Sequence, residues 1–125
     1  MQPPNGRTLV NFKTNFYTET EPFTRTITLL GQQVELRIRP SGFGWRFGDG
    51  EELSTRSGGS PYPRLEITHR YLAEGQVGPA VDTTYAADWR VNGGAWQPVP
   101  GTVTIPGAPV PLEVVEATPT LVGYR

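Results

Sequence analysis

The sequence contains no cysteine, which excludes both a disulfide framework and a thiolate metal site. Lys13 is the only lysine, and acidic and basic residues nearly balance, giving a formal net charge of −1. A chain without a basic patch lacks the electrostatic footprint of a nucleic-acid-binding protein, so we expect no nucleic-acid partner. The longest apolar runs cover only a few residues, too short to span a membrane, so we expect no membrane insertion.

Sustained helical periodicity is also missing. Instead, short extended runs alternate with turns rich in glycine and proline, a pattern typical of a β-sandwich or barrel. The length of 125 residues suits a single domain, residues 1–125, whose core needs no covalent cross-links. We therefore expect an all-β fold of about eight to ten strands.

The strands are predicted from period-two alternation between turn signals. They cover Thr8 to Phe12, Asn15 to Tyr17, Phe23 to Leu30, Val34 to Arg39, Gly44 to Gly48, Leu65 to Tyr71, Val81 to Val91, Gly101 to Ile105 and Pro111 to Ala117. Within Val34 to Arg39 the apolar residues are expected to point inward. Gly31-Gln32 and Asn92-Gly93-Gly94 predict hairpin turns. Residues 51–63 predict a mobile surface loop, and residues 72–79 a turn.

Two motifs carry the most specific signal. Gly44 to Gly50 reads as a strand with Trp45 and Phe47 on one face, followed by a Gly-Asp-Gly turn that tolerates positive φ. About twenty residues later stands Thr68-His69-Arg70-Tyr71. Together the motifs resemble the signature of the PKD domain, and the resemblance covers Val34 to Val115.

The resemblance implies an immunoglobulin-like, PKD-type β-sandwich with an additional β-hairpin. Its structural signature residues would be Trp45, Phe47, Gly48, Asp49, Gly50, His69 and Tyr71. The chain departs from the family pattern at Arg46, where the family usually has Asp, and through the extra hairpin and strand at Asn92 to Ile105. Because the pattern is similar to PKD-like domains of secreted actinobacterial proteins, we expect a secreted or cell-surface location. The first residues lack the features of an export signal, which we expect to lie outside this piece of sequence.

Neither catalysis nor a cofactor is expected. His69 is the only histidine, and strand alternation gives it Ile67 and Tyr71 as neighbours, so no nucleophile or carboxylate partner is evident.

Trp45, Phe47 and Tyr71 are expected to be core residues. A calcium site is the alternative use of the carboxylates, but their spacing matches no calcium loop. The carboxylates considered are those of Asp49, Glu51, Glu52, Asp82 and Asp88.

The sequence thus favours a non-catalytic, monomeric interaction or spacer module that binds a protein or glycan partner at the cell envelope. Candidate contacts are Tyr62, in the loop of residues 51–63, and Trp96 with Arg90 at the second hairpin, since Trp and Arg are enriched at binding hot spots. Trp96 also reads as the cross-strand partner of Trp89. The alternative is a carbohydrate-binding module attached to a secreted enzyme, which needs Tyr62, Tyr85 and Trp96 on one solvent-facing surface.

Overall fold

The computed structural model describes residues 6–116, which contain eleven β-strands and no α-helix. The predicted all-β fold is therefore confirmed. The strands are β1 (Arg7–Leu9), β2 (Lys13–Asn15), β3 (Phe23–Leu29), β4 (Gln32–Arg46), β5 (Glu52–Thr55), β6 (Thr68–Arg70), β7 (Gly75–Val77), β8 (Ala80–Val91), β9 (Gln97–Pro98), β10 (Val103–Ile105) and β11 (Leu112–Val115). Within those residues no helix is long and apolar enough to cross a membrane.

The strands form three sheets. The largest has the order β10-β8-β4-β3, with β5 added to β4 and β9 added to β8. A second sheet has the order β1-β11-β7, in which β1 runs parallel to β11, and β2 pairs with β6 in a third. Several sheets built from one chain are the arrangement expected of a β-sandwich.

Both predicted hairpin turns are present, although the first lies one residue earlier than the expected Gly31-Gln32. Leu30 and Gly31 connect β3 to β4 with φ angles of 51° and 76°. Asn92 and Gly93 follow β8 with φ angles of 48° and 74°. Positive φ at both central positions is the requirement of a tight two-residue hairpin turn, which is why asparagine and glycine favour it.

Two predicted loops contain strands. Within residues 51–63, β5 pairs with residues 43–46 of β4 and completes a hairpin around the Gly-Asp-Gly turn. Within residues 72–79, β7 pairs with β11. Both strands are short and mostly exposed, so they lack the apolar alternation that would have revealed them, and partner strands supply their order.

Strand β4 continues through Pro40, where the sequence predicted that it would end. Its pairing register with β8 shifts between Pro40 and Gly42. At this point β3 no longer flanks β4, since Phe23, the first residue of β3, stands opposite Ile38. Proline is tolerated in a sheet at such a bulge without a flanking strand.

The hydrophobic core lies at one end of the long sheet, between the C-terminal part of β4 and the strands β2, β6 and β11. Its buried members are Phe16, Phe43, Trp45, Phe47, Ile67, Tyr71, Leu112 and Val114. The aromatic side chains supply most of its apolar surface. As predicted, Trp45 and Phe47 are core residues, with 1% and 3% of their surface exposed.

The other end of the long sheet extends away from this core, and we call it the arm. The arm consists of β3, residues 32–39 of β4, residues 86–91 of β8, and β9. None of its described residues is buried. Val34, Leu36 and Ile38 share one face as predicted, but the prediction that they point into the core is wrong, because that face is only partly covered.

Candidate functional site

The Gly-Asp-Gly turn is held by both its backbone and its aspartate. Gly48 has a φ of +89°, and a Cβ there would lie 2.8 Å from the backbone nitrogen of Gly78. Asp49 accepts a hydrogen bond from the N–H of Glu51 at 3.1 Å through Oδ1. Position 48 therefore needs glycine for two reasons: other residues rarely adopt this positive φ, and a Cβ would collide with the backbone of Gly78. This turn presents the other carboxylate oxygen of Asp49 to β6.

His69 has the carboxylate partner that strand alternation failed to predict. Its Nε2 lies 2.6 Å from Oδ2 of Asp49, which stands twenty residues earlier in the chain. The imidazole ring stacks on Phe47 with ring centroids 4.1 Å apart, and Tyr71 meets it edge-on at 4.8 Å. The expectation considered neighbours on the same strand only, whereas the contact comes from the neighbouring turn.

Tyr71 is the buried member of this cluster. Its hydroxyl donates a hydrogen bond of 2.7 Å to the carbonyl oxygen of Phe47, and only 1% of the residue is exposed. Burial raises the pKa of Tyr71 far above its usual range, so the side chain stays neutral. Burial also tends to raise the pKa of Asp49, but the hydrogen bonds from His69 and from the N–H of Glu51 outweigh it and hold that pKa below its usual range.

A surface cleft of about 470 Å³ lies beside the Asp49–His69 pair. It is lined by Asp49, Glu51, residues 69–77 and their backbone. Within residues 6–116, no serine, threonine or tyrosine hydroxyl hydrogen-bonds to His69. The arrangement of these groups fixes the orientation of the turn against β6.

The carboxylates considered for calcium are not brought together. Asp82 accepts two hydrogen bonds from Arg46, at 3.0 and 2.8 Å, on the face of β4 that points away from the core. Asp88 contacts Arg37 and Arg39 at 3.1 and 3.0 Å. In the described part of the chain, no three histidine, aspartate or glutamate side chains form a group suited to a metal ion. Arg46, the departure from the family pattern, thus has a partner in Asp82.

Trp96 lies on the polar face of the arm. Its ring contacts two guanidinium groups, with Arg37 at 4.1 Å and Arg90 at 4.5 Å from the ring centroid. Arg90 in turn donates two hydrogen bonds to Glu35, at 2.9 and 3.1 Å. The predicted cross-strand pair with Trp89 is wrong, because Gln97 stands opposite Trp89 in the register. Cation–π contacts of this kind stabilise the polar face.

The remaining aromatic candidates lie elsewhere. Tyr62 belongs to the segment between β5 and β6 and is 70% exposed. Tyr85 stands opposite Val103 and shares the face of β8 that carries Thr83. Trp96 contacts the opposite face of the same sheet, through Arg90 of β8. The sheet therefore separates Tyr85 from Trp96.

The second face of the arm is apolar and partly exposed, and it includes the residues of β4 that sequence reasoning placed in the core. Directly paired residues on neighbouring strands share a face, and the register gives this face as Phe23, Ile27, Leu29, Val34, Leu36, Ile38, Ala87, Trp89 and Val91. We call it the apolar arm face. Arg25 is its only charged residue. Phe23, Ile27 and Leu29 are 41%, 43% and 54% exposed, so the outer strand is the least covered part.

Neither a protein-family model, nor a curated protein, nor a solved structure matches this chain.

Proposed function

We propose that this chain is a non-catalytic interaction module of a secreted or cell-surface protein, built as a PKD-type, immunoglobulin-like sandwich. Its partner would be a protein at the cell envelope, bound through the apolar arm face. The observation that carries this proposal is a sheet face of nine apolar residues of which none is buried in the described chain.

The size of the face supports this role. Seven residues of strand and three strands span about 24 Å by 14 Å, or about 300–400 Å². Contiguous apolar patches of that size on a soluble domain commonly mark interaction sites. A sheet face covered by a second sheet is also the ordinary way in which β-sandwiches bury apolar side chains.

The chemistry of the face favours a protein partner over a glycan. Charged side chains gather on the opposite face, where Glu35 and Arg90 pair and Asp88 binds two arginines. The apolar arm face carries only Arg25, whose guanidinium lies 5.3 Å from the ring centroid of Phe23. A carbohydrate-binding surface would need a row of aromatic side chains, and Tyr85 and Trp96 lie on opposite sides of the sheet.

The test compares two double variants of the same arm. Ile27→Ser with Leu36→Ser removes apolar surface from the apolar arm face, and Thr26→Ser with Thr28→Ser makes a matched change on the opposite face. We expect an envelope protein to be captured by the wild type and by the threonine variant, but not by the Ile27/Leu36 variant. Circular dichroism checks that all three proteins are folded. Capture that the Ile27/Leu36 change leaves intact, or binding on a glycan array that depends on Trp96, would contradict the proposal.

A hydrolase is the second candidate, because the cleft lies beside an Asp–His pair. We expect no turnover in a broad screen of ester, amide and glycoside substrates. Turnover that is lost on His69→Gln, while the fold is retained, would replace the interaction module by an enzyme.

A further inference from the structure

The outer edge of β3 is an unpaired strand edge in the described part of the chain. β3 stands last in the order of the long sheet, and β4 is its neighbour on the other side. Its seven residues pair with β4 without a bulge, from Phe23 opposite Ile38 to Leu29 opposite Gln32. Pro22 precedes the strand and the Leu30-Gly31 turn follows it, so the edge has defined ends.

The register shows which backbone groups face outward. The N–H of Asn92 donates to the carbonyl oxygen of Gln33 at 2.8 Å, so Gln33 directs its backbone toward β8. Because backbone direction alternates along a strand, Val34, Leu36 and Ile38 direct theirs toward β3. Their partners on β3 are Ile27, Arg25 and Phe23, listed in the same order. The outward groups of β3 therefore belong to Thr24, Thr26 and Thr28.

Of the features by which proteins usually block strand addition, this edge has one, the charge of Arg25 on the apolar arm face. Such features are proline, lysine, an inward-pointing charge or a bulge. Between residues 23 and 29 the only charge is Arg25, whose guanidinium is drawn along its own strand toward Phe23. A regular seven-residue edge of this kind is a template for an added strand.

The sequence of β3 is self-complementary about Thr26. Two copies related by a twofold axis at Thr26 would pair Thr26 with its own symmetry mate and Thr24 with Thr28. All three are outward-facing residues, so each pair can exchange backbone hydrogen bonds, and Thr–Thr neighbours are favourable cross-strand pairs. On the other face Phe23 would meet Leu29, and Arg25 would meet Ile27. No like charges stand directly opposite each other.

We propose that a second copy of this chain occupies the edge, in a twofold dimer with antiparallel β3 strands centred on Thr26. Each copy contributes its β3 edge to the pairing, so no β3 edge remains for a third chain and the assembly stops at a dimer. This proposed dimer differs from the monomeric state that the sequence favoured. It is independent of the proposed function, since backbone pairing at the edge leaves the apolar arm face uncovered and doubles its extent.

An edge pair of seven residues is smaller than a standard protein interface, so the dimer is expected to form reversibly with rising concentration. Sedimentation velocity of the wild type should show a coefficient that increases from the monomer to the dimer value. Thr26→Pro removes an outward N–H and leaves the ladder to β4 intact, so it should stay monomeric. Thr26→Val keeps the backbone donor and should dimerise like the wild type.

A cysteine-free chain also allows a direct test of the register. In the proposed dimer the two Thr26 Cα atoms lie about 5.5 Å apart, within reach of a disulfide. Thr26→Cys should therefore form a covalent dimer on mild oxidation. Thr28→Cys is the matched control, because its symmetry mate lies about 14 Å away along the strand, and it should stay mostly uncrosslinked.

These experiments decide the proposal even if Thr26→Pro fails to fold, because the two cysteine variants then give the answer. A wild type that remains monomeric at every concentration overturns it, as does the formation of open-ended polymers. Equal cross-linking of the two cysteine variants overturns the register. Loss of envelope-protein capture in the Ile27/Leu36 variant concerns the proposed function alone, since that change leaves the outward backbone groups in place.

Discussion

At the scale of single residues, the signature cluster is a set of aromatic rings organised by two polar contacts. Tyr71 reaches the carbonyl oxygen of Phe47 from within the core, and Asp49 reaches His69 at its rim. Buried polar groups must be satisfied, and the first contact does this for the carbonyl of Phe47, whereas the second joins the turn after β4 to β6 at the protein surface. The aromatic rings provide burial, and the polar contacts determine how they are arranged.

Tyr71→Phe is expected to lower the free energy of unfolding by about 1–2 kcal/mol, because it leaves the buried carbonyl of Phe47 without its hydroxyl donor and creates no large cavity. Urea denaturation at neutral pH measures the difference. Tyr85→Phe is the control, since no hydrogen bond of the Tyr85 hydroxyl occurs in the described chain. Equal stability of the Tyr71 variant and the wild type would refute a structural role for this bond.

Asp49 is expected to contribute to acid sensitivity. Its pKa is lower in the folded chain than the value of about 3.9 in an unfolded one. The folded state is therefore stabilised above about pH 4, and this contribution is lost as the pH falls through the folded-state pKa. Asp49→Asn should reduce the free energy of unfolding at pH 7 by about 1 kcal/mol and make its decline below pH 4 shallower.

This expectation for Asp49 is tested by chemical denaturation of the wild type and the Asp49→Asn variant. The measurements run from pH 7 to about pH 2.5, which covers roughly the acid range in which aspartate titrates. The exposed carboxylate of Glu52 supplies the control, as Glu52→Gln should leave the acid profile of the wild type unchanged. Parallel profiles for the wild type and the Asp49 variant would remove Asp49 from the explanation.

At the scale of the elements, β4 and β8 each serve two parts of the molecule. The C-terminal part of β4 places Phe43, Trp45 and Phe47 in the core, whereas residues 32–39 belong to the arm. The register shift between Pro40 and Gly42 separates the two parts. One continuous pair of strands thus links the core to the exposed face, so the arm is held by ladder hydrogen bonds and its own ion pairs.

The turn that ends β4 offers a matched pair of glycine substitutions. Gly48 and Gly50 both have positive φ, +89° and +96°, but only a Cβ at Gly48 would collide with a neighbouring backbone. Gly50→Ala should cost about 1–2 kcal/mol from backbone strain alone. Gly48→Ala should cost about 2–4 kcal/mol, since the overlap with Gly78 is added. Similar losses measured by thermal or urea unfolding would show that the approach of Gly78 is not limiting.

At the scale of the whole molecule, burial is concentrated at one end. Every buried apolar side chain of the described chain lies in residues 16–80 outside the arm or in β11, and the arm contributes none. Local stability in proteins follows buried contacts, so the two ends should differ in how readily they open. That difference also places the proposed binding face and the proposed dimer edge at the less stable end.

Residue-resolved amide exchange at concentrations where the chain is monomeric should reveal this gradient. The slowest amides are expected in β2, β6, β11 and residues 43–47, and faster exchange is expected through β3 and residues 86–91. The ladder-bonded amides of Phe23, Arg25 and Ile27 give the fair comparison, because the outward amides of β3 exchange in any case. Equal protection at the two ends would show that the arm opens only with the whole fold.

Much of this architecture was open to prediction. The hairpins at Leu30-Gly31 and Asn92-Gly93, the strand from Phe23 and the burial of Trp45 and Phe47 all follow from local pattern and turn chemistry. Two strands escaped prediction, β5 and β7, because short exposed segments owe their order to the partner strand. The contact of His69 with Asp49 escaped for a related reason, since it joins segments of two different sheets that only the tertiary fold brings together.

The amino-acid sequence by itself determined which residues of each strand share a face and where the chain turns back, because side-chain alternation and positive-φ turns are properties of neighbouring residues. Only the tertiary structure decided which of those faces is covered. The apolar faces of Val34 to Ile38 and of Phe43 to Phe47 have the same periodicity, yet one is half-exposed and the other is core. Coverage depends on whether another sheet lies above a face, and no local pattern carries that information.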